Sequence, residues 1–180
     1  MLREIAKALA FLHSRGYVHL DVKPQNIFLR SDPGRTGEEV YRGLQGNLKL
    51  GDLRTTVRAG ERVTQATPAY CPPEQVEAII KGSGTRPEMD VFALGMTGYR
   101  LLTLRDDNPA TPYLDEAFNH IPRDPEKALE LVRRARESLE RWTPVMEGPR
   151  ELRDIIVRMI STQPERRPKA HEVAIALREK

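Results

Sequence analysis

Cysteine is nearly absent from this sequence: Cys71 stands alone among 180 residues. A lone thiol excludes an internal disulfide, and the chain reads as the product of a reducing compartment, the cytoplasm by default. Also lacking is any run of about 18 apolar residues, which excludes a membrane-spanning helix. The opening MLREIAKALAFLH interleaves charges with apolar residues, so it lacks the continuous apolar centre and small-residue cleavage site of a signal peptide. A strong excess of one charge is missing too. The 29 basic and 26 acidic side chains leave +3, too little to argue for a nucleic-acid partner. No internal repeat is found.

What is present suits one soluble globular domain: 39% hydrophobic and 31% charged residues in a chain long enough to bury a core. Leu2, Ile5, Leu9 and Leu12 share one face of an amphipathic helix, with Arg3, Lys7 and Arg15 elsewhere, and SRG at 14–16 ends it. The runs NIFLR (26–30) and NLKLGD (47–52) read as two strands of a small hairpin joined by a long polar excursion at 31–46. Residues 53–74 show no clean period and end in the proline-rich TPAYCPPEQ, an ordered but irregular segment.

After the glycine-rich link KGSGTRPE, the run DVFALGMTGYRLLTL (90–104) is apolar on nearly every face, the pattern of a helix buried all round. Thr85 with Glu88 fits a capping box at its start, and Pro87 suits a first turn. A proline-rich stretch at 106–125 leads to a helix capped by Asp124 and opened by Pro125. Its buried stripe is Ala128, Val132, Ala135, Leu139 and Trp142. Arg133, Arg134, Arg136 and Arg141 on that helix read as a solvated face. Helices at roughly 149–161 and 168–179 complete the chain.

The densest chemistry lies in HLDVKPQN, residues 19–26, followed by Asp52. It offers a carboxylate to orient or deprotonate a hydroxyl, an ammonium for a phosphate, and amide and carboxylate oxygens for a hard cation such as Mg²⁺. Phosphoryl transfer uses this set, because its loose transition state asks for positioning and charge neutralisation more than for covalent help.

These residues resemble the catalytic loop of the protein kinases, H-R-D-L-K-P-E-N in its common form. The resemblance continues in order. LKLGDLRTT resembles the strand and D-F-G segment, ATPAYCPPEQ the end of the activation segment, DVFALGMTGYRLLT the D-x-W-S-L-G helix, and QPERRP the late D-P-x-x-R-P. It implies an α+β protein kinase-like fold of the eukaryotic-like serine/threonine type. Only the mainly α-helical large lobe with a small β-hairpin is expected, spanning 1–180. Within it lie a catalytic loop (19–26), an activation segment (52–74) and a central buried helix (90–104).

By the same resemblance Asp21 is the catalytic base, Lys23 steadies the transferring phosphate, and Asn26 and Asp52 hold Mg²⁺. Thr67 goes with serine or threonine hydroxyls as substrate. Glu74 and Arg167 form a buried ion pair, Asp90 holds the catalytic-loop backbone, and His19 packs beneath that loop. The glycines of GSG (82–84) follow no strand of a βαβ unit and read as an ordinary linker.

The pattern also departs from the family. No G-x-G-x-x-G loop, V-A-I-K lysine or partner glutamate precedes the catalytic loop, so the N-terminal β lobe is expected to be absent. Leu20 replaces the arginine that receives an activation-loop phosphate, leaving a phosphate on Thr55, Thr56 or Thr64 without its guanidinium. Leu53 and Arg54 replace phenylalanine and glycine after Asp52, and Gln25 replaces a glutamate. The excursion at 31–46 reads as a tolerated surface insertion.

The implied reaction is transfer of the ATP γ-phosphate to a protein serine or threonine, with Mg²⁺ and ATP as cofactors and a protein substrate as partner. Nothing in the pattern supports independent ATP binding by these residues. Three readings stay open: the large lobe of an ATP-dependent protein serine/threonine kinase, a non-catalytic pseudokinase-like binding or scaffold module, and half of a split kinase completed by a small-lobe partner in trans. Each leaves an apolar cleft floor around Ile27, Leu50 and Leu53 that a small lobe would cover.

Overall fold

Leu2, Ile5, Ala6 and Leu9 are all buried along the first helix of the computed structural model, α1 (Leu2–Ser14). The structure describes residues 1–32, 36, 39 and 46–178. Gly16, at φ +76°, turns the chain after α1 into strand β1 (Tyr17–Val18). A left-handed residue without a Cβ costs little there, which is why the helix ends at SRG. Most of the excursion at 31–46 lies outside the described residues, and the last helix, expected to reach about 179, ends at Ala176.

The expected hairpin pairs β2 (Ile27–Leu29) with β3 (Leu48–Leu50), antiparallel, with Ile27 opposite Leu50 and Leu29 opposite Leu48. A second pair was not legible in the sequence: β1 lies antiparallel to β4 (Val57–Arg58), Tyr17 opposite Arg58. Two-residue strands carry no readable alternation, so only their pairing reveals them.

Two helices also escape pattern reading. α2 (Pro73–Lys81) starts inside the proline-rich CPPEQ, where Pro73 occupies a first-turn position that needs no N–H. α4 (Thr111–His120) uses Pro112 in the same way inside the stretch read as irregular. Between them runs α3 (Pro87–Thr103), buried without interruption from Met89 to Tyr99. Leu104, at φ +57°, stops it.

The capping box expected at Thr85 does not form. Arg86 is the N-cap, and the Thr85 hydroxyl instead donates to the Arg58 carbonyl at 2.9 Å, tying the helix start to β4. Burial of α3 demands close neighbours. A Cβ on Gly95 would lie 2.7 Å from Ile160 Cγ2 and 2.8 Å from Met159 Cβ, so glycine lets α6 (Arg150–Met159) approach. Each large apolar side chain that α3 buries contributes about 1.5–3 kcal/mol.

Asp124 caps α5 (Pro125–Arg141) by accepting from Lys127 N at 2.9 Å. Ala128, Val132, Ala135 and Leu139 form its buried stripe as expected. Trp142 is only half-buried, just past the helix, with its ring edge-on to Tyr99 at 5.0 Å. α5 packs on α4 and α2, while α7 (Ala170–Ala176) packs on α1. The result is a mainly helical body around α3, with the two small sheets carrying the polar loops at one end, a kinase-like large lobe.

Candidate active site

The loop after β1 is built on one buried carboxylate. Asp90, fully buried in the first turn of α3, accepts the backbone N–H of His19 on Oδ2 and that of Leu20 on Oδ1, both at 2.8 Å. Leu20 takes φ +68°, a left-handed conformation that costs a leucine about 1–2 kcal/mol. The Asp90 bonds offset that strain, as does a bond from Gln75 Nε2 to the Leu20 carbonyl at 3.0 Å. The Leu20 side chain is buried with Val18, Val63, Ala78 and Met89.

His19 is wholly buried and bridges two segments. Its Nδ1 accepts the Asp21 N–H at 3.3 Å, so Nε2 carries the proton and donates to the Gly51 carbonyl at 2.9 Å. Both ring nitrogens are thereby occupied in one neutral tautomer, which makes His19 a structural strut. A Cβ on Gly51 would meet the exposed Phe28 ring at 2.6 Å, so a side chain there would require that ring to shift.

Asp21, Lys23, Asn26 and Thr67 meet in one network. Asp21 Oδ1 accepts the Thr67 hydroxyl at 2.7 Å, and Oδ2 takes Lys23 Nζ at 2.8 Å and Asn26 Nδ2 at 2.9 Å. Asn26 Nδ2 also donates to the Asp21 carbonyl at 2.8 Å, and Lys23 Nζ reaches the Thr67 hydroxyl oxygen at 3.2 Å. Pro24 opens the 3-10 turn Pro24–Asn26 that folds Asn26 back onto Asp21. Burial pushes the Asp21 carboxyl up, but bonds from Lys23, Thr67 and Asn26 outweigh it, and its pKa lies below the ordinary value. Asp21 is therefore an ionised, fully solicited carboxylate, suited to orienting a hydroxyl.

Asp52 stands outside that network. At φ +55° it opens the 3-10 turn Leu53–Thr55, and the turn brings Arg54 back onto it. Arg54 Nε donates to Oδ1 at 2.9 Å, and this bond is the largest cause of the lowered Asp52 pKa. Asp52 and Asn26 supply the hard oxygen chemistry that Mg²⁺ takes, with the Asn26 amide nitrogen committed to Asp21 and its oxygen left as the donor. Thr55 anchors the turn by donating from Oγ1 to the His19 carbonyl at 2.7 Å.

Behind the site, Arg167 Nη1 donates to Glu74 Oε1 and to the Glu88 carbonyl, its Nε donates to the Ser161 carbonyl, and the guanidinium lies 4.9 Å from the centre of the Phe92 ring. The Arg167 side chain is fully buried. Sequence reasoning missed His13, whose Nε2 sits 2.9 Å from Asp90 Oδ2, and Gln75. His13 ends an ordinary amphipathic helix and Gln75 lies on α2, which the pattern did not reveal, so no local signal marks either. The sequence marked Arg54 only as a replacement for glycine, whereas its side chain is what reaches Asp52.

Of the apolar floor expected at Ile27, Leu50 and Leu53, only Leu53 is exposed, at 57%, while Ile27 and Leu50 are half-buried; Phe28, not foreseen, is 51% exposed. On α5, Arg133 pairs with Glu137, Arg134 with Glu130, and Arg136 with Glu77 across to α2, a compensated face. Among the described residues no helix is long and apolar enough to cross a membrane.

Asp21, Lys23, Asn26 and Thr67 are thus gathered at one end of a mainly helical lobe, and comparison with known proteins gives the family. The family model described as protein kinase domain matches residues 1–176, and the chain belongs to that family. It is 46% identical over 179 residues to the serine/threonine-protein kinase ArnS of Sulfolobus acidocaldarius, covering 96% of this chain and 29% of that protein. It is 30% identical over 177 residues to the serine/threonine-protein kinase PkaA of Streptomyces coelicolor, covering 97% of this chain and 28% of that one. With an Aurora kinase of Schizosaccharomyces pombe it shares 28% over 173 residues, 94% of this chain and 39% of the relative. The chain thus spans under a third of the length of the first two.

Proposed function

We propose that residues 1–180 are the large-lobe portion of an ATP-dependent protein serine/threonine kinase, with catalytic loop 19–26, activation segment 52–74 and central helix 90–104. The observation that carries this reading is the shared network of Asp21, Lys23 and Thr67, closed by Asn26. In it Asp21 orients the substrate hydroxyl and accepts its proton late, as a carboxylate of lowered pKa must. Lys23 steadies the phosphate in flight, and Thr67 holds both in register for a serine or threonine hydroxyl. Asn26 and Asp52 would hold Mg²⁺, which neutralises charge on the nucleotide phosphates when bound. A cytoplasmic location goes with this reading, since Cys71 is a free buried thiol.

The exposed floor at Leu53 and Phe28 supports a second wall for ATP, supplied by further residues of the same protein or in trans by another chain. A non-catalytic binding module is the competing reading, favoured by Arg54 on the Asp52 carboxylate. Thermal unfolding with Mg·ATP separates them. A site at 100 times its Kd gains about 2.7 kcal/mol, a rise in Tm of several degrees. A chain that carries both walls and shows no such rise is a binding module.

A further inference from the structure

A cavity of about 360 Å³ lies between the end of α1, the start of α3 and the start of α7. That volume is within the range of small-molecule sites, roughly 300–1,000 Å³. Ala10, Pro87, Val91 and Pro168 supply apolar walls. Two lining carboxylates, Glu88 and Glu165, are partnered by Arg86 at 3.6 and 3.9 Å. Lys169, also lining the cavity, makes no ion pair among the described residues; its backbone N–H donates to Glu172 Oε2 at 2.7 Å and its carbonyl accepts from Val173 N at 3.1 Å. Arg167 lines it as well, and its Nη2 is a buried donor with no hydrogen-bond partner.

The two lining carboxylates share the one Arg86 guanidinium, and Lys169 is the lining cation left without an ion pair among the described residues, so the apolar chamber offers a point of attachment to an anion with an apolar body. We infer that this cavity binds a small organic carboxylate, its acid group toward Lys169 and its hydrocarbon between α1 and α3. The cavity also touches the catalytic loop's support. His13 is in its wall and holds Asp90 Oδ2 at 2.9 Å, the same oxygen that accepts His19 N at 2.8 Å. A ligand that moves the His13 ring therefore acts on the loop that carries Asp21. The path is one side chain and one carboxylate, both already fixed by hydrogen bonds.

The test is a ¹H–¹⁵N NMR titration of the chain with 4-phenylbutyrate and, separately, with the neutral 4-phenylbutanamide. Expected are saturable shifts at the amides of Ala10, Val91 and His171, followed at the same ligand concentration by His19 and Leu20. The carboxylate should bind at least tenfold more tightly than the amide. Lys169→Glu should weaken the carboxylate tenfold or more while leaving the amide unchanged, and Lys169→Gln should act in the same direction. Lys169 is exposed, so neither change threatens the fold. Absence of saturable shifts, equal affinity for the two probes, or indifference to Lys169→Glu overturns the site. Shifts confined to the cavity, with His19 and Leu20 still, overturn the coupling.

Discussion

Arg54 and Asp52 form a forked ion pair within one turn, Nε to Oδ1 at 2.9 Å and Nη2 to Oδ2 at 3.4 Å. Both carboxylate oxygens thus already face a cation where Mg²⁺ is proposed to sit. A metal ion has to displace the guanidinium, and an exposed pair of this kind resists only modestly. Arg54→Gly should therefore raise divalent affinity, by at most about fivefold for an exposed pair. Mn²⁺ titration followed by water-proton relaxation reads this without any turnover. Equal or weaker Mn²⁺ binding in the variant would show that Arg54 does not compete.

Loss of the Asp21 carboxylate should remove hydroxyl orientation while keeping the fold, because asparagine retains the shape and one acceptor. On the proposed reading, Asp21→Asn should lower phosphate transfer to a serine-containing protein by about 10²–10⁴-fold. Thr67→Val should cost less and Thr67→Ser least, since serine restores the bond that Asp21 Oδ1 accepts. A ³²P transfer assay gives the ranking, and an active Asp21→Asn enzyme would remove Asp21 from the chemistry.

The Glu74 and Arg167 pair is buried and joins the start of α2 to the segment before α7. Glu74→Ala would strand the guanidinium without its counter-charge. The expected loss is about 3–5 kcal/mol. In a domain of this length that lowers Tm by about 6–20 °C. Scanning calorimetry of the variant checks it, and a shift under two degrees would mean that the remaining carbonyl acceptors suffice.

Acid should weaken the clasp between α2 and α5. Burial raises the Glu77 pKa, but bonds from Lys81 and Arg136 outweigh it and hold the carboxyl below its ordinary value of 4.5. A depressed folded pKa means that the stabilisation is fully present above the unfolded value and is lost as pH falls through the folded one. Urea unfolding at pH 6 and at successively lower pH should show a smaller decline for Glu77→Gln than for the parent chain. Identical declines would place the acid sensitivity elsewhere.

Much of this lobe is legible locally. The stripe Ala128, Val132, Ala135 and Leu139 and the cap at Asp124 follow from helical spacing and a side-chain oxygen at an open helix end, and both are observed. Prolines misled where they opened α2 and α4, because a proline that breaks a helix interior also suits its first turn. Thr85 misled differently: its hydroxyl had a better acceptor, the Arg58 carbonyl, on a strand too short to be seen.

By itself the sequence determined which chemical groups the loop at 19–26 carries, how the amphipathic helices turn their faces, and that α3 is buried on all sides. Those follow from residue type and period, which are properties of neighbouring positions. Tertiary structure alone decided that His13 shares Asp90 with the loop at 19–26, and that Gln75 holds the Leu20 carbonyl. It also decided that the Arg54 side chain folds onto Asp52. The first two join residues 77 and 55 positions apart, where packing of the intervening chain selects the partner. The third spans two positions, yet depends on the left-handed backbone at Asp52, held in turn by the Thr55 bond to His19.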